Sequence, residues 1–205
     1  FKIELKKPLE PEQILEHKKL LGGLEFVDFE ENEINCQTSL ALNDPDSILN
    51  AMLKKILSII KLIKNDSSHE LVERYELEVD KSNLLIQKSI ITSLMYRKST
   101  KLRHVDLYYI GSISRLLERI TDILISLDPN SKLINSCEKF IMHLQNVLNN
   151  LNLSTVTDFI KEIENKGQIE VTNLKTYKEK RIYALFGHVV EILGNWVITE
   201  QVDNS

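Results

Sequence analysis

Two pairs of carboxylates carry the chemical interest of this sequence. Glu76 and Asp80 stand four residues apart in Glu76-Leu77-Glu78-Val79-Asp80, and Glu118 and Asp122 repeat that spacing in Leu117-Glu118-Arg119-Ile120-Thr121-Asp122. On a helix, residues four apart lie on one face, one turn above the other, and like charges there cost about 0.2–0.5 kcal/mol per pair. Each pair sits one residue past an apolar stripe position, beside Tyr75 and Val79 in the first case and Leu117 in the second, so the two pairs can meet at one helix seam. Four carboxylates from facing helices offer a hard oxygen site for iron, manganese, magnesium or calcium. The competing reading is a solvated, salt-bridged face, for which Arg74, Lys81, Arg115 and Arg119 are at hand.

The elements that must position these acids are helices. Asp44-Pro45 is an N-cap with proline at the first helical position, and Ile48, Met52, Ile56, Ile59, Ile60 and Ile63 follow at three-to-four spacing as far as Asn65. The Ser67-Ser68-His69-Glu70 capping box opens a second helix with a stripe of Val72, Tyr75, Val79, Ile86, Ile90 and Leu94, running to about Arg97. A third spans about Lys101 to Leu127 on Ile110, Ile113, Leu117, Ile120, Leu124 and Leu127, and Asp128-Pro129 stops it. Further helices are expected over Asn130–Asn150, Ser154–Lys166 and Lys175–Gln201. The sequence of long, long, long, then long, short, long suggests a divergent duplication of a three-helix unit.

The first 43 residues differ. Phe1–Leu5, Leu24–Phe29 and Glu33–Leu40 read as strands and Glu12–Leu21 as a short helix ending at Gly22-Gly23. The expected organisation is therefore mainly all-α. A small βαββ appendage over 1–43 precedes a helical domain over 44–205, itself two tandem three-helix bundles, 44–128 and a degenerate 129–205.

Composition narrows the function classes. The 205 residues are 42% hydrophobic and 27% charged, with only six glycines and four prolines, which excludes collagen-like and disordered chains. Twenty-six Lys and Arg against 30 Asp and Glu leave a net charge of −4, with no basic stripe for specific nucleic-acid contact. Cys36 and Cys137 cannot build a disulfide framework and imply a reducing, cytoplasmic setting. The longest dense apolar stretch, Leu53–Ile63, is interrupted by three lysines, so no membrane span is expected. The start, Phe1-Lys2-Ile3-Glu4-Leu5, lacks methionine and a signal pattern and reads as the beginning of a fragment. G-x-x-x-x-G-K, G-x-S-x-G, H-E-x-x-H and G-x-G-x-x-G are all missing, and the five histidines show no ligand spacing, so the expectation is a protein that is not an enzyme. His188, beside Phe186 and Val189, reads as a core histidine, and Tyr183 and Trp196 as bundle packing.

Leu117-Glu118-Arg119-Ile120-Thr121-Asp122, preceded by Tyr108, Tyr109 and Arg115, resembles the Leu-Glu-Arg-Ile-x-Asp signature of the PhoU family of phosphate-uptake regulators. Glu76-x-Glu78-Val79-Asp80-Lys81 with Leu84-Leu85-Ile86 resembles its partner motif on the preceding helix. Leu20-Leu21-Gly22-Gly23-Leu24-Glu25-Phe26-Val27, with Ile34-Asn35-Cys36-Gln37, is similar to the segment that precedes the domain in archaeal members. Together these cover about Leu20 to Leu127. The resemblance implies paired three-helix bundles and a metal site, iron foremost, with Glu76, Asp80, Glu118 and Asp122 as ligands.

It also implies a homo-oligomeric regulator of phosphate homeostasis. Its partners would be the nucleotide-binding subunit of a phosphate ABC transporter or a phosphate-signalling protein. Glu191 and Asn195 occupy the place of a second motif, opposite Asp158 and Glu162, and the neutral amide argues against a second metal cluster. The alternative is the sensor and dimerisation part of a transcriptional regulator whose AbrB-like reader domain precedes this segment. A carboxylate-bridged di-iron oxidase is disfavoured, because no Glu-x-x-His accompanies the acids.

Overall fold

A computed structural model describes the backbone of residues 2–4, 24–30, 33–38, 44–96, 102–164 and 169–203. Three strands, β1 (Lys2–Glu4), β2 (Leu24–Glu30) and β3 (Glu33–Thr38), pair antiparallel in the order β1-β3-β2, with a register shift between Phe26 and Asp28. The helix expected over Glu12–Leu21 lies outside the described residues. The remainder is helical: α1 (Pro45–Lys64), α2 (His69–Tyr96), α3 (His104–Leu124), α4 (Lys132–Asn149), α5 (Leu153–Glu164) and α6 (Leu174–Asp203).

Local chemistry sets the helix ends. Asp44 caps α1 by accepting from the Ser47 N–H. Its exit is a Schellman turn, in which Asp66 takes φ 51° while Asp66 N–H bonds Ile63 and Ser67 N–H bonds Leu62. Asn152 and Thr155 cap α5 reciprocally, as Asn173 and Thr176 cap α6, so both helices begin slightly before the expected Ser154 and Lys175. The third helix is shorter at both ends than the expected Lys101–Leu127.

α1, α2 and α3 pack against one another, α5 packs against α4 and α6, and α1–α4 and α3–α6 contacts join the two sets. Phe140 on α4 reaches Phe159 on α5 and Phe186 and Tyr183 on α6, with ring centroids 6.3, 5.0 and 5.8 Å away. Lys64 and Glu138 add an ion pair between α1 and α4. The buried apolar residues of all six helices form one continuous cluster.

Three sequence expectations need correction. On α2 the buried face is Val72, Val79, Ser82, Ile86, Ser89 and Ser93, whereas Tyr75 and Leu94 are exposed. The Ser82 hydroxyl stays satisfied by Lys55 and the Glu78 carbonyl, and that of Ser93 by the Ser89 carbonyl. His188 is exposed rather than in the core. The longest apolar helix is α6 and not Leu53–Ile63: by length and composition Leu174–Val202 could cross a membrane, with half of its apolar window buried inside the fold.

α3 is buried on two sides. Ile110, Ile113, Leu117, Ile120 and Leu124 are buried as the stripe requires, and Tyr109, Leu116 and Ile123 join them because α6 covers the other side. Gly111 marks a close α2–α3 approach, where a Cβ would stand 2.7 Å from Ile90 Cδ1. Beside it Gln87 donates to the Gly111 carbonyl (3.1 Å), and Ser114 donates to Asn83 Oδ1 (3.0 Å). This polar clasp fixes the register that brings the acids of α2 and α3 together.

Candidate metal centre

The α2–α3 seam gathers the sequence's two acidic pairs. Glu76, Asp80 and Asp122 each offer a ligand atom within 4.8 Å of the other two. Glu118 stands one turn before Asp122, outside this tight trio but close enough for its charge to act on Glu76. Glu76, Asp80 and Glu118 are half-buried and Asp122 is exposed.

All four carboxyls are pushed above the usual carboxylate range. Burial is the largest cause for each, and neighbouring acids add to it: Asp80 and Asp122 at Glu76, Asp122 at Asp80, and Asp122 with Asp80 at Glu118. At Asp122 burial prevails over the nearby Arg181 and Arg119, which act in the opposite sense. Asp80 Oδ1 is buried with no hydrogen-bond partner among the described residues, an arrangement that costs about 1–3 kcal/mol unless something else satisfies it.

Of the cations at hand to neutralise this face, Arg119 acts on Glu118 and Asp122, whereas Lys81 and Arg115 are engaged elsewhere. Lys81 bonds Glu78 at 2.7 Å, and Lys55 reaches the same carboxylate at 3.4 Å. The Lys81 hydrogen bond is the main reason that Glu78 is held below the usual range. Arg115 donates to the Gly111 carbonyl at 3.2 Å. Glu76-Leu77-Glu78-Val79-Asp80 therefore divides: Glu78 is a structural ion-pair partner, while Glu76 and Asp80 face acids. The donor set is all carboxylate, contains an orphaned buried oxygen and carries an excess of negative charge, which fits a hard dication or iron.

The second motif is arranged differently. Glu191, Asn195 and Asp158 are exposed, Asp158 lies 4.0 Å from Lys161, and Glu162 bonds His143 at 2.9 Å. Cys137 is fully buried, and burial pushes its thiol up to about 12, which leaves it inert.

A further site was missed in the sequence. Asp106, at the third position of α3, accepts from the Arg103 backbone N–H (2.8 Å), the Arg103 guanidinium (2.7 Å) and the indole N–H of Trp196 (2.9 Å). Burial raises its pKa, but these bonds outweigh it and hold the carboxyl below its ordinary value. Tyr109 stacks on Trp196 and bonds Thr199 at 2.9 Å. The only sequence signal was an acid three residues into a helix; its partner on α6 lies ninety positions away. Compared with family models, curated proteins and solved structures, the chain matches none.

Proposed function

We propose that this protein is a non-enzymatic, metal-binding helical regulator of the PhoU type. Glu76, Asp80 and Asp122 hold a hard cation, and Glu118 completes the set from the next turn of α3. The observation that supports this best is the three-acid cluster without a cationic partner in contact, at a seam whose register a buried glycine and a polar clasp define. Iron is the first candidate, with manganese, magnesium or calcium as alternatives of the same hard-ligand chemistry. When bound, the ion would supply positive charge that holds α2 to α3; the protein's own residues orient the carboxylates.

The regulatory action is contact with other proteins: the nucleotide-binding subunit of a phosphate ABC transporter or a phosphate-signalling component, in the cytoplasm and as a homo-oligomer. The two helical sets are the tandem bundles of that family, the second having lost its metal motif, and the strands belong to a βαββ appendage. Elemental analysis of the purified chain tests the metal reading. Stoichiometric metal in the parent and none in Glu118→Ala/Asp122→Ala, with helical circular dichroism retained, is the expected result. Equal metal in both proteins contradicts it.

A further inference from the structure

Asp122 belongs to two neighbourhoods. Besides the acid cluster it lines a cleft of about 370 Å³ between the end of α3 and the start of α6, together with the cations Arg119, Lys178 and Arg181. Both arginines act electrostatically on Asp122, yet neither forms a salt bridge or hydrogen bond among the described residues. Lys178 bonds the Ser126 carbonyl at 3.1 Å, which leaves two of its three ammonium donors for other acceptors. Tyr177 and Leu174 lie exposed beside them, the first adding a hydroxyl and both adding apolar surface. Two guanidinium forks and an ammonium on one concave wall match the several oxygens of a tetrahedral oxyanion.

We propose that this cleft binds a phosphoryl group, free or carried on a small organic ester, and that its occupancy is coupled through Asp122 to the cation at the acid cluster. The coupling rests on the metal reading; the anion site does not. Without a cation, the Asp122 carboxylate competes with an incoming anion for the field of Arg119 and Arg181. A cation held by Glu76, Asp80 and Asp122 cancels that charge, so the oxyanion binds more tightly, and by linkage the anion tightens cation binding equally. A gain of about tenfold lies within the ordinary range for coupled sites.

Equilibrium dialysis of the full chain against inorganic phosphate and phenyl phosphate, with and without magnesium, tests this. Both anions should be retained by the parent, about tenfold more tightly with magnesium. Arg119→Ala/Arg181→Ala changes two exposed side chains and should lose most of that binding while keeping its helical circular dichroism and magnesium uptake. Asp80→Asn should keep phosphate binding but lose the magnesium effect. No retention by the parent, or equal retention by the double-arginine variant, overturns the site. A parent whose phosphate affinity ignores bound magnesium overturns the coupling. Arginine-dependent phosphate binding in a chain that takes up none of iron, manganese, magnesium or calcium overturns the metal reading and supports the anion site. Tighter binding of phenyl phosphate than of phosphate identifies an organic ester as the ligand, with Leu174 and Tyr177 against its substituent.

Discussion

At the scale of single residues, acids of the same type do opposite work. Asp106 is held ionised by Arg103 and Trp196, whereas Asp80 and Glu76 are pressed toward the neutral form by burial and by neighbouring acids, Asp122 at both and Asp80 at Glu76. A carboxyl raised in the folded state opposes folding wherever it is ionised, so the contribution of these acids to the metal-free protein is less favourable at neutral pH than below their raised pKa values. Glu76→Gln/Asp80→Asn should therefore raise the melting temperature of metal-free protein while abolishing the stabilisation that manganese gives the parent, about 2.7 kcal/mol at a concentration a hundredfold above Kd. Glu118→Gln, outside the tight trio, should weaken binding less than Asp80→Asn. Asp106 has the opposite sign. Its folded pKa lies below the unfolded value of 3.8, so its contribution is present above about pH 4 and is lost as pH falls through the folded pKa. Asp106→Asn should cost about 2 kcal/mol at pH 7, because charged hydrogen bonds are replaced by weaker ones. The gap to the parent in urea midpoints should narrow as pH falls below about 4, and a gap independent of pH would deny the charge its role.

At the scale of elements, the seam between α2 and α3 depends on what is missing from Gly111. A side chain there drives into Ile90, and overpacking of this kind typically costs 1–3 kcal/mol. Gly111→Leu should cost about 2 kcal/mol of unfolding free energy, read as a lower urea midpoint, and Ile90→Ala in the same chain should recover part of it. Additive losses would show that the two positions do not meet. The helices were legible in the sequence wherever apolar residues dominated the buried face, as on α1 and α3. They were less legible on α2, where Ser82, Ser89 and Ser93 face inward while Leu77, Leu84 and Ile91 are exposed, inverting the polarity on which periodicity relies. The four acids were legible because their spacing is local. The Asp106–Trp196 contact and the cationic cleft were not, because each joins α3 to a helix far along the chain.

At the scale of the molecule, six helices share one apolar cluster, with Phe140 at the junction of α4, α5 and α6. Phe140→Ala should cost about 3–5 kcal/mol and lower a single cooperative transition, because α1–α4 and α3–α6 contacts tie the halves together. Two separated transitions in thermal circular dichroism would mean that the halves melt independently. The same ties place Arg181 of α6 beside Asp122 of α3, so the metal seam and the cleft lie within one packed unit.

The central claim is that the acids of α2 and α3 hold a metal ion, and calorimetric titration of manganese into the metal-stripped chain tests it most directly. Saturable, stoichiometric binding by the parent, with none in Glu76→Gln/Asp80→Asn/Asp122→Asn at unchanged helicity, is the predicted result. Equal binding by parent and variant, or no saturable binding by the parent, would contradict it.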